Sequence, residues 1–361
     1  MAPLLPEVVV TNLHRRFTGV SATVQALVPW QRQQQELVVW DWGQLGLGGE
    51  IGFLSLLRWG WSRPRRGRWR IWHARRDIEI LIGLLLRSLL RQPWRVVFTS
   101  AAPKRPGWWL RQLIRRCDAV IATSPRSAEF LERFDAMIFH GVDCAQFAPL
   151  AERQALLAEV GLAGQQVIAS FGRIRPSKGT DLFVDALLTL LPHFPDWVGV
   201  ITGLCQRPDQ PYLKALQRRI KDMDLDQRIF FVGDLEPTEI QRWYQRASIC
   251  VAVSRREGFG LTPLEAMASG CVPVTSEAGA WPWIIRPDYG VVVETGMLSP
   301  LIAALAELMI DPQRLATMGK QSRLIAQSKF SIETEAALIN QVYVKLRSEQ
   351  EHTVSESKTS H

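Results

Sequence analysis

Two short segments hold cations, glycines and carboxylates at spacings that could bind an anion and act on what it carries. The first is Gly172-Arg173-Ile174-Arg175-Pro176-Ser177-Lys178-Gly179-Thr180-Asp181, which follows the apolar run Val167 to Phe171 and precedes Leu182, Phe183, Ala186, Leu187 and Leu190 at helical spacing. Arg173 and Lys178 thus emerge on a glycine-containing loop at the carboxyl end of a strand, where ligands of open α/β sheets collect. Fixed positive groups there would hold a phosphate and neutralise charge developing on a departing diphosphate. An ordinary strand-to-helix loop with solvated charges carries the same residues, so the loop alone leaves both readings open. It is neither a Walker loop nor a G-x-G-x-x-G fingerprint.

The second segment follows the run Ile249 to Val253 and reads Ser254-Arg255-Arg256-Glu257-Gly258-Phe259-Gly260-Leu261-Thr262-Pro263-Leu264-Glu265-Ala266-Met267-Ala268-Ser269-Gly270. Thr262 suits an N-cap, Pro263 the first helical position, Glu265 the third and Gly270 the stop, which predicts a short helix from Pro263 to Ser269. Its start offers free N–H donors and the positive end of a dipole, and the glycines before it let an anion approach the backbone. Glu265 has two readings: the acid of a capping box, or a ligand for ribose hydroxyls. Glu257 has no such local structural role, and a carboxylate beside an anion site suits contact with a sugar hydroxyl or a developing cation.

These segments need strands to present them. Short apolar runs at Val8 to Val10, Leu37 to Trp40, Val96 to Phe98, Ala119 to Ala122 and Met137 to Phe139 predict strands of a first half. Val167 to Phe171, Val198 to Thr202, Ile229 to Val232, Ile249 to Val253, Val272 to Thr275 and Val291 to Val293 predict strands of a second. Runs apolar on both faces, separated by helical spacers, imply parallel sheets covered on both sides, so each half is expected to be a doubly wound α/β domain. His140-Gly141-Val142-Asp143, with Phe147-Ala148-Pro149 behind it, marks the join. The expected division is 1–145, 146–335, a helix over 336–348 that packs back toward the first domain, and a polar, disordered tail at 349–361.

Composition agrees with that size. A chain of 361 residues with 47% hydrophobic and 22% charged residues is long enough for two cores and too apolar for general disorder. Cys117, Cys144, Cys205, Cys250 and Cys271 form no C-x-x-C pair, which argues against a disulfide framework or a structural zinc and favours a cytoplasmic setting. Met1 to Asn12 lacks a cationic segment, and the apolar run Ile80 to Leu90 is broken by Arg87, so neither a signal peptide nor a membrane span is expected.

Charge is uneven. The whole chain balances 43 Lys and Arg against 35 Asp and Glu, yet the residues up to Asp143 carry 21 basic against 11 acidic, and ten of the 14 tryptophans precede residue 110. The densest run is Arg63-Pro64-Arg65-Arg66-Gly67-Arg68-Trp69-Arg70, with Arg75 and Arg76 close behind. Arginine interleaved with tryptophan suits an anionic membrane surface, since guanidinium pairs with phosphate and indole settles at the headgroup boundary. A merely solvated surface is the plainer alternative. With no helix-turn-helix, zinc-finger or RNA-binding motif, nucleic acid is not an expected partner.

Glu257 and Glu265 in the form E-G-F-G-L-T-P-L-E, preceded by F-G-R-x-x-P-x-K-G, resemble the retaining glycosyltransferases of family 4. That resemblance implies the GT-B fold, two Rossmann-like doubly wound domains facing across a cleft, and a nucleotide-sugar donor. It implies that Arg173 and Lys178 bind the diphosphate, that Glu257 faces the donor sugar, and that Glu265 holds the ribose. Gly258, Phe259, Gly260, Leu261 and Thr262 would meet diphosphate and sugar, and Gly233-Asp234-Leu235 would lie near the base. No cofactor and no metal are implied, and the sequence has no D-x-D pair placed for one.

The first half narrows the resemblance. Arg15-Arg16-Phe17-Thr18-Gly19-Val20-Ser21-Ala22-Thr23, Trp72-His73-Ala74-Arg75-Arg76-Asp77, Phe98-Thr99-Ser100-Ala101-Ala102 and His140-Gly141-Val142-Asp143 are similar to bacterial lipopolysaccharide-core mannosyltransferases. GDP-mannose as donor, a lipid-linked inner-core sugar such as Kdo as acceptor, and a peripheral position on the inner face of the cytoplasmic membrane are then implied. The alternative is a family 4 enzyme using a UDP- or ADP-linked sugar on another glycolipid or polysaccharide. Gly19 would face the diphosphate from the first domain, and His73 is either a catalytic contact to sugar or a satisfied structural histidine. The chain departs from the family where Thr18-Gly19 replaces two glycines, where Thr99 or Ser100 replaces a histidine, and where Gly279-Ala280-Trp281-Pro282-Trp283 has tryptophan in place of an acid.

Overall fold

The computed structural model describes residues 6–16, 18–62, 64–65, 67–101, 104–150 and 152–348. Phe17, Arg63, Arg66, Ala102 and the tail 349–361 lie outside the described residues. The chain divides into two units, one of residues 1–140 with 332–361, the other of residues 141–331.

The first unit is built on a six-stranded sheet: β1 (Val8–Asn12), β2 (Leu37–Asp41), β3 (Arg70–Ala74), β4 (Trp94–Ser100), β5 (Ala119–Ala122) and β6 (Ala136–Met137). Their order is β2-β1-β3-β4-β5-β6 and every pairing is parallel. Alternate residues feed two cores. Val8, Val10, Ile71, Val97 and Ile121 pack on one face, and Val9, Trp72, Val96, Phe98 and Val120 on the other. This two-sided burial is why the strands read as continuous apolar runs. The exception is β3, which the strand expectations omit: Ile71-Trp72 is short, and Arg70 and His73 break its pattern. All five of its residues are nonetheless buried. Arg70 is tolerated there because its guanidinium donates to the carbonyls of Pro6 and Ser62 and to Ser62 Oγ.

The second unit carries β7 (Gln166–Phe171), β8 (Trp197–Thr202), β9 (Ile229–Gly233), β10 (Ile249–Ala252), β11 (Val272–Ser276) and β12 (Val291–Val293). They are ordered β12-β11-β10-β7-β8-β9, again wholly parallel. The sheet is likewise buried on both faces, with Ile168, Ile201, Val251 and Val274 toward one core and Val167, Ala169, Val200 and Cys250 toward the other.

The boundaries fall at His140/Gly141 and Ser331/Ile332, four or five residues before those expected. Backbone pairing sets them: Val142 N donates to Phe330 O at 2.9 Å, and Val142 bridges Ser331, closing the second unit on itself. The last helix, Ile332–Ser348, belongs to the first unit. It inserts Ile332, Ala336, Ile339, Tyr343 and Leu346 among β-strand residues and the helix Gly19–Gln34. Among the described residues, no helix is long and apolar enough to cross a membrane.

Candidate functional site

The carboxyl edge of the second sheet assembles most of the expected residues. β7 ends at Phe171; Gly172 follows, and the chain makes a single tight turn at Pro176–Lys178 before the helix Thr180–Leu190. Gly179 joins turn to helix at φ 73°, and a Cβ there would stand 2.2 Å from Val253 O. Only glycine fits, so the turn carrying Lys178 is pressed against the end of β10. Lys178 Nζ then lies 2.5 Å from Glu257 Oε2, with the two side chains 25% and 19% exposed. Glu257 Oε1 accepts from Gly258 N at 3.1 Å. Arg173 stands exposed beside them, and Ser170, Lys178, Ser254, Glu257 and Thr262 line one depression with it.

Two contacts absent from the sequence expectations hold these loops in register. Arg255 forms a two-pronged ion pair with Asp181, at 2.8 and 2.7 Å, while its backbone N donates to Ser177 O at 2.9 Å. Trp281 supports the glycine turn from below: it is 1% exposed, and its Nε1 donates to Gly260 O at 3.0 Å. Gly260 has φ 84°, and a Cβ there would sit 2.5 Å from that same nitrogen. Trp281, two residues before the tryptophan that stands in place of the family's acid, Trp283, is therefore the floor of the turn Gly258–Leu261.

The helix after this turn runs Thr262–Ala268, not Pro263 to Ser269. Leu261, in right-handed helical conformation, occupies the cap position, and no side chain caps the helix. Thr262 is thus no N-cap, and Glu265 is no capping-box acid. The turn leads straight into helical dihedrals, leaving no extended residue for a threonine cap. Glu265 instead accepts from Tyr244 Oη at 2.6 Å. Burial raises its carboxyl above the usual range, and the Tyr244 hydrogen bond pulls it partly back. Tyr244 is stacked on Phe171 with ring centroids 3.7 Å apart, which ties Glu265 to the end of β7. Phe259 is buried and Leu261 half-buried. Gly233 ends β9, and its carbonyl accepts from Gly203 N at 2.7 Å. Asp234 is exposed beyond it, and Leu235 packs into the core beneath.

Gly19 and His73 belong to the first unit. Gly19 opens the helix Gly19–Gln34 behind Thr18, whose Oγ1 accepts from Ser21 N. It is exposed, and a Cβ there would meet nothing within 4 Å, so the fold itself does not demand glycine. His73 sits in β3 with no exposed surface. Its Nδ1 meets Tyr343 Oη and its Nε2 lies 2.7 Å from Thr99 Oγ1, so both ring nitrogens are engaged. Burial, aided by the charge of Arg75, holds its pKa well below the ordinary value, leaving a neutral imidazole at neutral pH. As placed, His73 touches nothing outside the interior; Thr99 stands between it and the nearest cavity.

Among the described residues, no group of three His, Cys, Asp or Glu side chains is placed to hold a metal ion. The arrangement can fix a doubly charged leaving group: Lys178 has N–H donors beyond the one facing Glu257, Arg173 makes no ion pair among the described residues, and backbone amides of the glycine turn lie alongside.

The family model for group 1 glycosyl transferases matches residues 153–325. The chain is 39% identical over 345 residues to the lipopolysaccharide core biosynthesis mannosyltransferase LpsB of Rhizobium meliloti (strain 1021), covering 94% of this chain and 97% of that one. It is 39% identical over 346 residues to the mannosyltransferase LpcC of Rhizobium leguminosarum bv. viciae, covering 94% and 96%. Among solved structures, Anabaena Alr3699/HepE in complex with UDP superposes with a TM-score of 0.80 at 18% identity over 94% of this chain and 99% of that one, a likeness of fold. With two wholly parallel doubly wound units, a Lys178–Glu257 pair at the sheet edge and near full-length identity to such enzymes, the chain belongs to the group 1 glycosyl transferases of GT-B fold and is a hexosyltransferase.

Proposed function

We propose that the enzyme transfers mannose from GDP-mannose to an inner-core sugar of lipopolysaccharide, Kdo, with retention of anomeric configuration and without a metal. The observation that carries this reading is the meeting of Lys178 and Glu257 beside exposed Arg173. The names of the two Rhizobium relatives supply the sugar and the polymer. Arg173 and Lys178 neutralise the diphosphate as the glycosidic bond lengthens. Glu257, held by Lys178 and by Gly258 N, faces the donor sugar, and Glu265 takes the ribose hydroxyls. The departing phosphate oxygen lies on the face the acceptor attacks and takes the acceptor's proton. A thermal-shift series of GDP-, UDP- and ADP-sugars tests the donor, because a ligand of the native state raises its midpoint. Stabilisation by guanine nucleotides alone is expected; a response to UDP- or ADP-sugars instead would overturn the mannosyl assignment.

The same reading places the enzyme on the inner face of the cytoplasmic membrane. The helix Phe53–Gly60 and its cap turn outward what such helices usually bury: Phe53 is 48%, Leu54 80% and Trp61 55% exposed, with Arg58 exposed among them. Trp42 and Phe53 both pack on Trp40, extending the apolar surface. The arginine run contributes less than its sequence suggests, since Arg70 is buried and Arg68 and Arg95 both lie over the Trp69 ring. Sedimentation with anionic vesicles should fall for a Leu54→Ser, Trp61→Ser double variant; unchanged sedimentation would remove this face from membrane contact.

A further inference from the structure

The first unit contains a cavity of about 300 Å³ at the carboxyl edge of its own sheet, where β3 and β4 end. That is the small end of ligand-pocket volumes, room for one sugar unit rather than an oligosaccharide. Thr99 and Ser100 supply hydroxyls to it, Phe98 and Leu110 an apolar wall, and Arg75 and Arg76 its cations.

The two arginines differ. Arg76 is used up: Nη1 donates to Asn12 Oδ1 and Glu79 Oε1, both at 3.0 Å, and Nη2 to Thr18 Oγ1 at 3.0 Å. Arg75 Nε and Nη1 are buried and have no hydrogen-bond partner. A buried unpaired guanidinium is expensive, and such groups are paired in folded proteins. The nearby acids are committed elsewhere. Glu79 accepts from Thr11 Oγ1, Leu13 N, Arg75 N and Arg76, and Glu335 lies 2.8 Å from His140 Nδ1. Asp77, on the cavity wall, is exposed and accepts from Ile78 N. The fold therefore sets Arg75 on the wall of a sugar-sized cavity with two guanidinium nitrogens unpartnered and, among the described residues, no ion pair within 4 Å; Glu79 and Glu335 act on it only as nearby charges.

We infer that Arg75 selects an acceptor sugar that bears a carboxylate, pairing with it inside this cavity. The inference rests on the glycosyl-transfer reading above and goes beyond it, because it names the group that decides which sugar is accepted. The guanidinium fork matches a carboxylate bidentately. One unpaired cation with Asp77 at the rim suits a monoanion better than a phosphate dianion. Thr99, itself held by His73, and Ser100 are placed to meet sugar hydroxyls.

The test is direct binding of the free monosaccharide Kdo to the full-length protein, with and without saturating GDP, read by saturation transfer to the sugar protons. The comparison set is the Kdo methyl ester, a hexose 6-phosphate, and the variants Arg75→Lys and Arg75→Gln. Wild type should bind the acid at least tenfold more tightly than the ester. Arg75→Gln should bring the acid down to the ester, and Arg75→Lys should keep part of the preference. Equal binding of acid and ester by wild type needs no variant and would overturn the inference. So would a loss in Arg75→Gln that is as large for the ester as for the acid, or tighter, Arg75-dependent binding of the sugar phosphate. Absence of any guanine-nucleotide stabilisation in wild type would defeat the mannosyl-transfer reading instead, leaving the Arg75 result to be judged on sugar binding alone.

Discussion

Lys178 and Glu257 are 79 residues apart in the sequence and 2.5 Å apart, Nζ to Oε2, in the folded second unit. On the proposed reading the pair keeps a carboxylate beside an anion site: the lysine neutralises Glu257 and has further N–H donors to offer a phosphate. Its exposure limits its structural worth to about 0–1 kcal/mol, the range of partly solvated pairs. Lys178→Ala should therefore fold with a nearly unchanged midpoint and lose turnover by about 10²–10³-fold, as removal of an electrostatic stabiliser does. In the Lys178→Ala background, Glu257→Gln should cost less than it does alone, because the partners are coupled. Initial rates for the four proteins check both statements, and wild-type turnover in Lys178→Ala would take the lysine out of the chemistry.

Trp281 gives the second prediction. Trp281→Phe keeps the ring but deletes the Nε1–H that Gly260 O accepts, for a loss of about 1 kcal/mol. Trp281→Ala also empties a buried site and should cost about 3–5 kcal/mol. In both, the turn Gly258–Leu261 loses its floor, so KM for the sugar nucleotide should rise more than kcat falls. Urea unfolding and steady-state kinetics measure the two effects, and a turnover loss without a KM change would contradict the positioning role.

A third prediction concerns pH. Burial raises the Glu265 carboxyl, so over a window above the ordinary carboxylate range the folded protein keeps a proton that the unfolded chain has released. The stability tied to this proton is complete below that range and is lost as pH climbs through the raised folded value. Glu265→Gln has no such proton and should gain on wild type as pH rises across the window. Tyr244→Phe deletes the O–H that draws the carboxyl back down, and should extend the decline to higher pH. Melting temperature against pH is the measurement; parallel curves for Glu265→Gln and wild type would refute it.

Gly19 separates folding from ligand binding. With open space around its Cα and a helix starting at it, Gly19→Ala should hold or raise stability by up to about 1 kcal/mol. If a diphosphate approaches this backbone, the added methyl should raise KM for the donor severalfold. Unchanged donor kinetics would show that no diphosphate comes near.

The sequence makes the parallel architecture legible wherever strands are apolar on both faces, as at Val167–Phe171 and Ile249–Val253, because a doubly covered sheet needs no polar alternation. It hides β3, since Arg70 and His73 look like surface residues until Ser62 and Tyr343 supply their partners from elsewhere in the chain. At the site, Arg173, Lys178 and Glu257 are readable because the loop positions are local. Asp181–Arg255 and Tyr244–Glu265 are not, because each joins residues that only the sheet order brings together. Thr262 misleads for the opposite reason: Thr-Pro-x-Glu is a good local cap signal, overridden by a turn already helical at Leu261.

The helix Ile332–Ser348 completes a core begun by Val8 and Val10, with Tyr343 reaching His73 and Gln31. The amino-terminal lobe is thus discontinuous, and its closing helix is synthesised only after the whole of the other unit. During synthesis the later lobe has its whole sequence available first and can mature while the earlier one still waits with an open flank. Until that helix is made, the nascent amino-terminal sheet carries an apolar face that the finished fold covers.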